Sequence, residues 1–312
     1  MKLLIWTLAL TFTVFSPFSS NAQGSHDHNS PTKKVGVLIL AHGGKAEWND
    51  EVNKVAAEIR RQHPTEVAFG MASKQTIQTA IDRLQTQDVA SIVAVPLFIS
   101  SNSTVITSTE FLLGLRKDAP KDLATFAKMD HGGHDVHAAH GSSDKMFDPM
   151  TPVECKVPIT MKRALDSDPI VAEILLARAK AISKDAKNEV VIVVAHGPVS
   201  DETNRLWLND MSKIAEMVKA KSDFRRIDYL TLRDDAPEPI RGQATAEFRR
   251  LVERASADKA RVLIVPLLLS FGGIEEGVKK RLDGLEYVMT SQALLPDQRI
   301  VKWVQKAVEA HH

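Results

Sequence analysis

Four stretches of the chain are apolar without alternation: VGVLIL at 35–40, SIVAVPLFI at 91–99, EVVIVV at 189–194 and RVLIVPLLL at 261–269. Unbroken β-branched runs of this kind predict parallel strands covered on both faces, because a half-exposed strand would alternate apolar and polar positions. Between them, 49–61 (NDEVNKVAAEIRR), 75–84 (QTIQTAIDRL), 202–218 and 245–255 place apolar residues three and four apart, the spacing of an amphipathic helix. The pattern predicts an α/β fold in which right-handed crossovers stack helices on both sides of each sheet.

The same pattern is written twice. VGVLILAHGG at 35–44 returns as VVIVVAHGPV at 190–199, and DVASIVAVPLFIS at 88–100 returns as DKARVLIVPLLLS at 258–270. Each copy runs in one order: a strand ending in Ala-His-Gly, a helix, a second strand, another helix, and a strand closing on Val-Pro-Leu. A duplicated unit is the economical reading. It predicts an amino-terminal lobe over 35–129, a linker over 130–169 and a carboxyl-terminal lobe over 170–312. Ahead of the first lobe, one lysine, a short apolar run and a small-x-small site ending at Ala22 predict a secretory signal over 1–22 and a flexible segment over 23–34. The expected location is therefore outside the cytoplasm, periplasmic in a Gram-negative host, with no membrane span once the signal is removed.

Composition narrows the partners. Forty basic and thirty-nine acidic residues leave a formal charge of +1, which argues against nucleic acid. The single cysteine, Cys155, forms no internal disulfide, so stability must come from the core. Nothing in the sequence sets the oligomeric state.

In an open parallel sheet, ligands bind beyond the carboxyl ends of the strands. His42 and His196 stand there, each followed by a glycine that lets the chain turn sharply. No G-x-S-x-G elbow or G-x-G-x-x-G loop accompanies them, and Ala41 and Ala195 stand where a histidine phosphatase would carry arginine, so no nucleotide is expected. Strand-AHG-helix-strand-helix-strand-VPL, twice over, resembles the CbiX/SirB family of sirohydrochlorin chelatases in its long, two-lobed form, with the class II chelatase fold.

That resemblance implies insertion of a divalent metal, cobalt, iron or nickel, into a tetrapyrrole without ATP; zinc is a further candidate for the divalent metal bound. It assigns His42, and by duplication His196, as metal ligand and base. Lys45, Lys74, Arg233, Lys279 and Lys280 near the strand ends become candidates for the macrocycle's carboxylates. The family's second histidine is missing from both copies: SSNST puts Asn102 and Thr104 in its place, and SFGGIEEG keeps Gly272 but puts Ile274 there. The family's acidic position in the first copy is Met71, with Lys74 close by. Replacement ligands would then come from Glu275, Glu276, Asp234 or Asp235.

The linker also holds His131, His134, His137 and His140, whose even spacing among glycines suggests a strap that folds around a metal. An alternative to insertion is a periplasmic metal-binding or metal-delivery protein built on a chelatase scaffold.

Overall fold

The computed structural model describes residues 34–128, 148 and 150–310. The expected signal, the segment to residue 33 and all four histidines of the linker run lie outside the described residues. Among those described, no helix is long and apolar enough to cross a membrane.

Two four-stranded sheets, parallel throughout, carry the fold. The first has the order β2-β1-β3-β4, from β1 (Lys34–Ala41), β2 (Thr65–Phe69), β3 (Val89–Leu97) and β4 (Ile159–Met161). The second repeats it as β6-β5-β7-β8, from β5 (Glu189–Ala195), β6 (Arg226–Thr231), β7 (Arg261–Leu267) and β8 (Val288–Met289). The four apolar runs are the two central strands of each sheet, where both faces need cover.

Nine α-helices are described: α1 (Ala46–Arg60), α2 (Lys74–Gln85), α3 (Thr104–Leu112), α4 (Leu123–Lys128), α5 (Pro169–Ile182), α6 (Asp201–Ala220), α7 (Ile240–Ala257), α8 (Ile274–Arg281) and α9 (Gln298–Glu309). Side-chain oxygens of Ser73, Ser103, Asp168, Ser200 and Asp297 accept from free amides in the first turns of α2, α3, α5, α6 and α9. Such caps stop the chain from drifting past the strand ends where the site is built.

The period of two within each central strand divides the core into three layers. Leu38 and Leu40 of β1 face outward with α2, α3 and α4, and Val190, Ile192 and Val194 of β5 face the opposite exterior with α7 and α8. Val37, Ile39 and Ala41 of β1 join Val191, Val193 and Ala195 of β5 in one shared middle layer, with α1, α5, α6 and α9.

Within that layer the last helix of each repeat is exchanged. α5, which follows the first sheet, packs on β7 and α6; α9, which follows the second, packs on β3 and α1. Arg178 of α5 clamps the approach to α9. Its guanidinium donates to the carbonyls of Ala293 (2.9 Å) and Pro296 (2.9 Å) and to Oε1 of Gln292 (2.9 Å).

Two features differ from the sequence reading. β4 falls inside the segment read as linker: Val153, Cys155, Val157, Ile159 and Met161 alternate onto the first sheet's outer core, so the connection carries the fourth strand. The carboxyl-terminal helix, assigned by sequence to the second lobe, lies on the first sheet. Periodicity shows that α9 has an apolar face, and says nothing about which surface that face meets.

One buried carboxylate ties the exchanged helix to the second sheet. Glu189, at the start of β5, is 1% exposed. It accepts from the Ser183 hydroxyl, the Lys184 amide (2.8 Å) and Arg261 Nη1 (2.6 Å), just past the end of α5 and at the start of β7. Burial pushes its carboxyl up, and the hydrogen bonds from Ser183, Lys184 and Arg261 outweigh burial, leaving it below the ordinary value of 4.5.

A carboxylate with a depressed folded-state pKa contributes stability above the unfolded value and loses it as pH falls through the folded one. Glu189→Ala is therefore expected to cost roughly 3 kcal/mol at pH 7, the scale for breaking a buried pair. The gap from the unmodified protein should narrow as pH drops below 4.5. Urea unfolding at pH 7 and pH 3.5 measures both; an unchanging gap would refute the assignment.

Candidate functional site

The topology places the site before any side chain is considered. In each sheet the chain leaves the central strand β1 or β5 toward one edge and leaves β3 or β7 toward the other. The crevice at the carboxyl ends of that strand pair is where such sheets bind ligands. Ala41 pairs with Leu97 and Ala195 with Leu267, so His42 and His196 each form one lip. The loops after β3 and β7 form the other.

Both histidines sit on turns that need glycine. Gly43 and Gly197 have φ of +81° and +76°. A Cβ on Gly197 would come within 2.4 Å of Thr231 Cβ, so the second turn is closed against the neighbouring strand. In the first turn the Gly44 amide donates to Asn49 Oδ1 (2.9 Å), drawing the loop onto α1.

The imidazoles differ in what they offer. His42 is exposed, and its Nδ1 lies 2.6 Å from the carbonyl oxygen of Gly43. A carbonyl only accepts, so Nδ1 is the donor, and in a neutral ring that leaves the lone pair on Nε2. The ring also meets Trp48 edge to face, with centroids 6.5 Å apart at 61°.

His196 is 33% exposed, and its Nε2 lies 3.4 Å from Oδ2 of Asp235, which is 71% exposed. The nitrogen that has no partner among the described residues in the first repeat is thus engaged with a carboxylate in the second.

The other sequence candidates are dispersed. Glu275 turns back on its own loop, accepting from the amides of Gly272 (3.3 Å) and Gly273 (3.0 Å). Glu276 pairs with Lys279 at 2.6 Å, which raises the Lys279 ammonium above its usual range. Asp234 pairs with Arg281. Of the four proposed replacement ligands only Asp235 meets a histidine among the described residues. Among the described residues no group of three or more His, Cys, Asp and Glu side chains is arranged to hold a metal ion. The expected completion of a site by Glu275 and Glu276 is corrected: helix-start amides and a neighbouring lysine satisfy them locally. His131, His134, His137 and His140 lie outside the described residues.

Arg233 is corrected too. It is 8% exposed and donates from Nε to Pro198 O (3.1 Å), from Nη1 to Asp201 Oδ1 (2.6 Å) and from Nη2 to Val199 O. Its task is to hold the loop after His196, which engages each of its three nitrogens. Lys74 is committed to the carbonyl of Asp148 (2.9 Å) and the hydroxyl of Thr151 (2.5 Å). Lys45 is exposed, stands three residues from His42, and makes no side-chain hydrogen bond or ion pair among the described residues. Sequence reasoning missed Trp48 and Asn49. The helix period could have found them, since both lie in the first turn of α1 facing the Ala-His-Gly turn.

A model of the CbiX family matches residues 36–182, the whole first repeat through α5. A sirohydrochlorin cobaltochelatase of Methanothermobacter thermautotrophicus is 34% identical over 97 residues, which are 30% of this chain and 68% of that protein. The protein of the same description from Methanosarcina barkeri is 26% identical over 153 residues, 48% of this chain and 97% of its own length. Among solved structures, SirB from Bacillus subtilis with Fe3+ superposes with a TM-score of 0.59 at 15% identity, covering 88% of this chain and 94% of that one. The sirohydrochlorin chelatase SirB from Bacillus subtilis subspecies spizizenii in complex with cobalt gives 0.54 at 15% identity, covering 88% and 96%. These similarities and the duplicated parallel sheets lead to one conclusion: the chain belongs to the CbiX/SirB chelatase family and has the class II chelatase fold.

Proposed function

We propose that this protein inserts a divalent first-row metal ion, with cobalt the leading candidate, into a sirohydrochlorin-type tetrapyrrole. The observation that carries the reading is His42: an exposed imidazole at the switch point of a parallel sheet, with Nδ1–H tied to Gly43 and Nε2 unengaged among the described residues. The names of the relatives support insertion over storage or delivery.

The metal and the macrocycle are both substrates. A neutral imidazole binds cobalt, nickel or iron through one nitrogen and yields the ion to a multidentate chelator. As the ion enters the ring, two pyrrole N–H bonds break, and their electron pairs become metal–nitrogen bonds. The protons need an acceptor at the crevice, and Nε2 of His42 can take one once the metal has left it. Water takes the other. Lys45, beside the same lip, is placed to meet a peripheral carboxylate of the macrocycle.

The first test follows the absorbance of sirohydrochlorin mixed with Co2+ and purified protein. Acceleration over the protein-free control is expected, and its absence with cobalt, nickel and iron alike would refute the reading. His42→Ala should lower the rate by about 100-fold or more, the scale of a lost general base. His196→Ala, whose Nε2 is engaged with Asp235, should lower it less than about tenfold. Equal losses would overturn the distinction between the repeats.

Lys45→Ala should raise the macrocycle KM about fivefold at low salt, the scale of one partly exposed ion pair. Lys279→Ala, whose ammonium is already paired, should leave KM unchanged. Steady-state kinetics on the two variants separate them.

A further inference from the structure

Two tryptophans occupy equivalent places in the repeats. The buried positions of α1 (Val52, Val55, Ala56 and Ile59) and of α6 (Met211, Ile214, Ala215 and Val218) share one spacing. Carrying that register back one turn brings Trp48 level with Trp207. Both are half-buried against the shared middle layer. Counting forward from the Val-Pro-Leu of β3 and β7 likewise brings Asn102 level with Gly272.

Each tryptophan reaches the partner position in the other repeat. The Trp207 indole Nε1–H donates to the Asn102 carbonyl at 2.7 Å. Trp48 Cδ1 lies 3.6 Å from where a Cβ on Gly272 would stand. The two contacts join corresponding positions of the two repeats, and only the one from Trp207 is a directional bond.

The loop that Trp207 holds is the lip opposite His42. One residue earlier the loop is anchored from its own repeat: Asp166 accepts from the Ser101 amide (2.6 Å) and hydroxyl (2.8 Å). The Asn102 amide donates to Ser100 Oγ (3.1 Å), and its carbonyl goes to Trp207. The backbone of Ser101 and Asn102 is thus fixed from both repeats. In the second repeat the amide level with that of Asn102, at Gly272, and the next one along, at Gly273, turn instead to Glu275 of the same loop.

We propose that Trp207 is a positioning residue that acts across the two repeats. Its indole N–H fixes the lip facing His42 and so sets the opening through which a planar macrocycle reaches Nε2. The macrocycle clause rests on the proposed function; the fixing of the lip does not.

The test uses the full-length protein with Trp207→Phe, which keeps an aromatic ring in the contact and removes the donor. Hydrogen–deuterium exchange of peptides spanning 100–106 should quicken about fivefold, the scale of one lost hydrogen bond. Peptides from β5 should be unchanged, which shows the fold intact. With Co2+ and sirohydrochlorin, KM for the macrocycle should rise about fivefold, while kcat falls less than about twofold. A purely structural contact would lower Tm without moving KM.

Unchanged exchange over 100–106 would overturn the proposal, and so would faster exchange with KM unaltered in a protein whose unmodified form is active. Failure of the unmodified protein to bind or metallate sirohydrochlorin would instead refute the proposed function, and the exchange result alone would then uphold or overturn the fixing of the lip.

Discussion

Everything in this structure depends on covering the inner faces of two parallel sheets. Parallel strands leave no face that tolerates water. Each repeat covers its outer face with its own helices, α2, α3 and α4 on one side and α7 and α8 on the other. It covers the inner face with its first helix and the last helix of its counterpart. Neither sheet is complete alone, so the separation between the crevices is set by packing in a continuous apolar layer.

Duplication supplied two sites that began alike, and local polar chemistry has made them unlike. The backbone frame is retained in both: strand, alanine, histidine, glycine at positive φ, and a post-strand loop as the second lip. The side-chain surroundings diverge. His42 has an aromatic edge beside it and a carbonyl on Nδ1, whereas His196 faces a carboxylate and is followed by a loop laced down by Arg233. The carboxylate beside His196 occupies the ring nitrogen that has no such partner at His42 among the described residues.

Much of this was legible in the chain. The central strands and the four amphipathic helices follow from unbroken and three-to-four-residue periodicity, and the repeat placed both Ala-His-Gly turns at strand ends without any coordinates. What was hidden has physical reasons. β4 and β8 are three and two residues long, too short for a period to register. The exchange of α5 and α9 is a choice between equally apolar surfaces, which no local pattern encodes. Glu275, Glu276 and Arg233 had ligand chemistry and the right neighbourhood, and lost their availability to amides, a lysine and carbonyls that only geometry brings near. The tryptophan pair stood in the sequence throughout, visible once helix registers rather than motif edges are aligned.

The exchanged helices also set an order of events during synthesis. Strands β1 to β3 leave the ribosome before any strand of the second sheet, while α9, which closes their inner face, follows all of them. The domain made first is therefore finished last, and until then an uncovered strip of valine and isoleucine must be kept from other chains. The second sheet has its borrowed helix α5 waiting before its own first strand is made. Two units of the same strand order in one polypeptide thus mature on opposite schedules, a temporal asymmetry that their shared topology conceals.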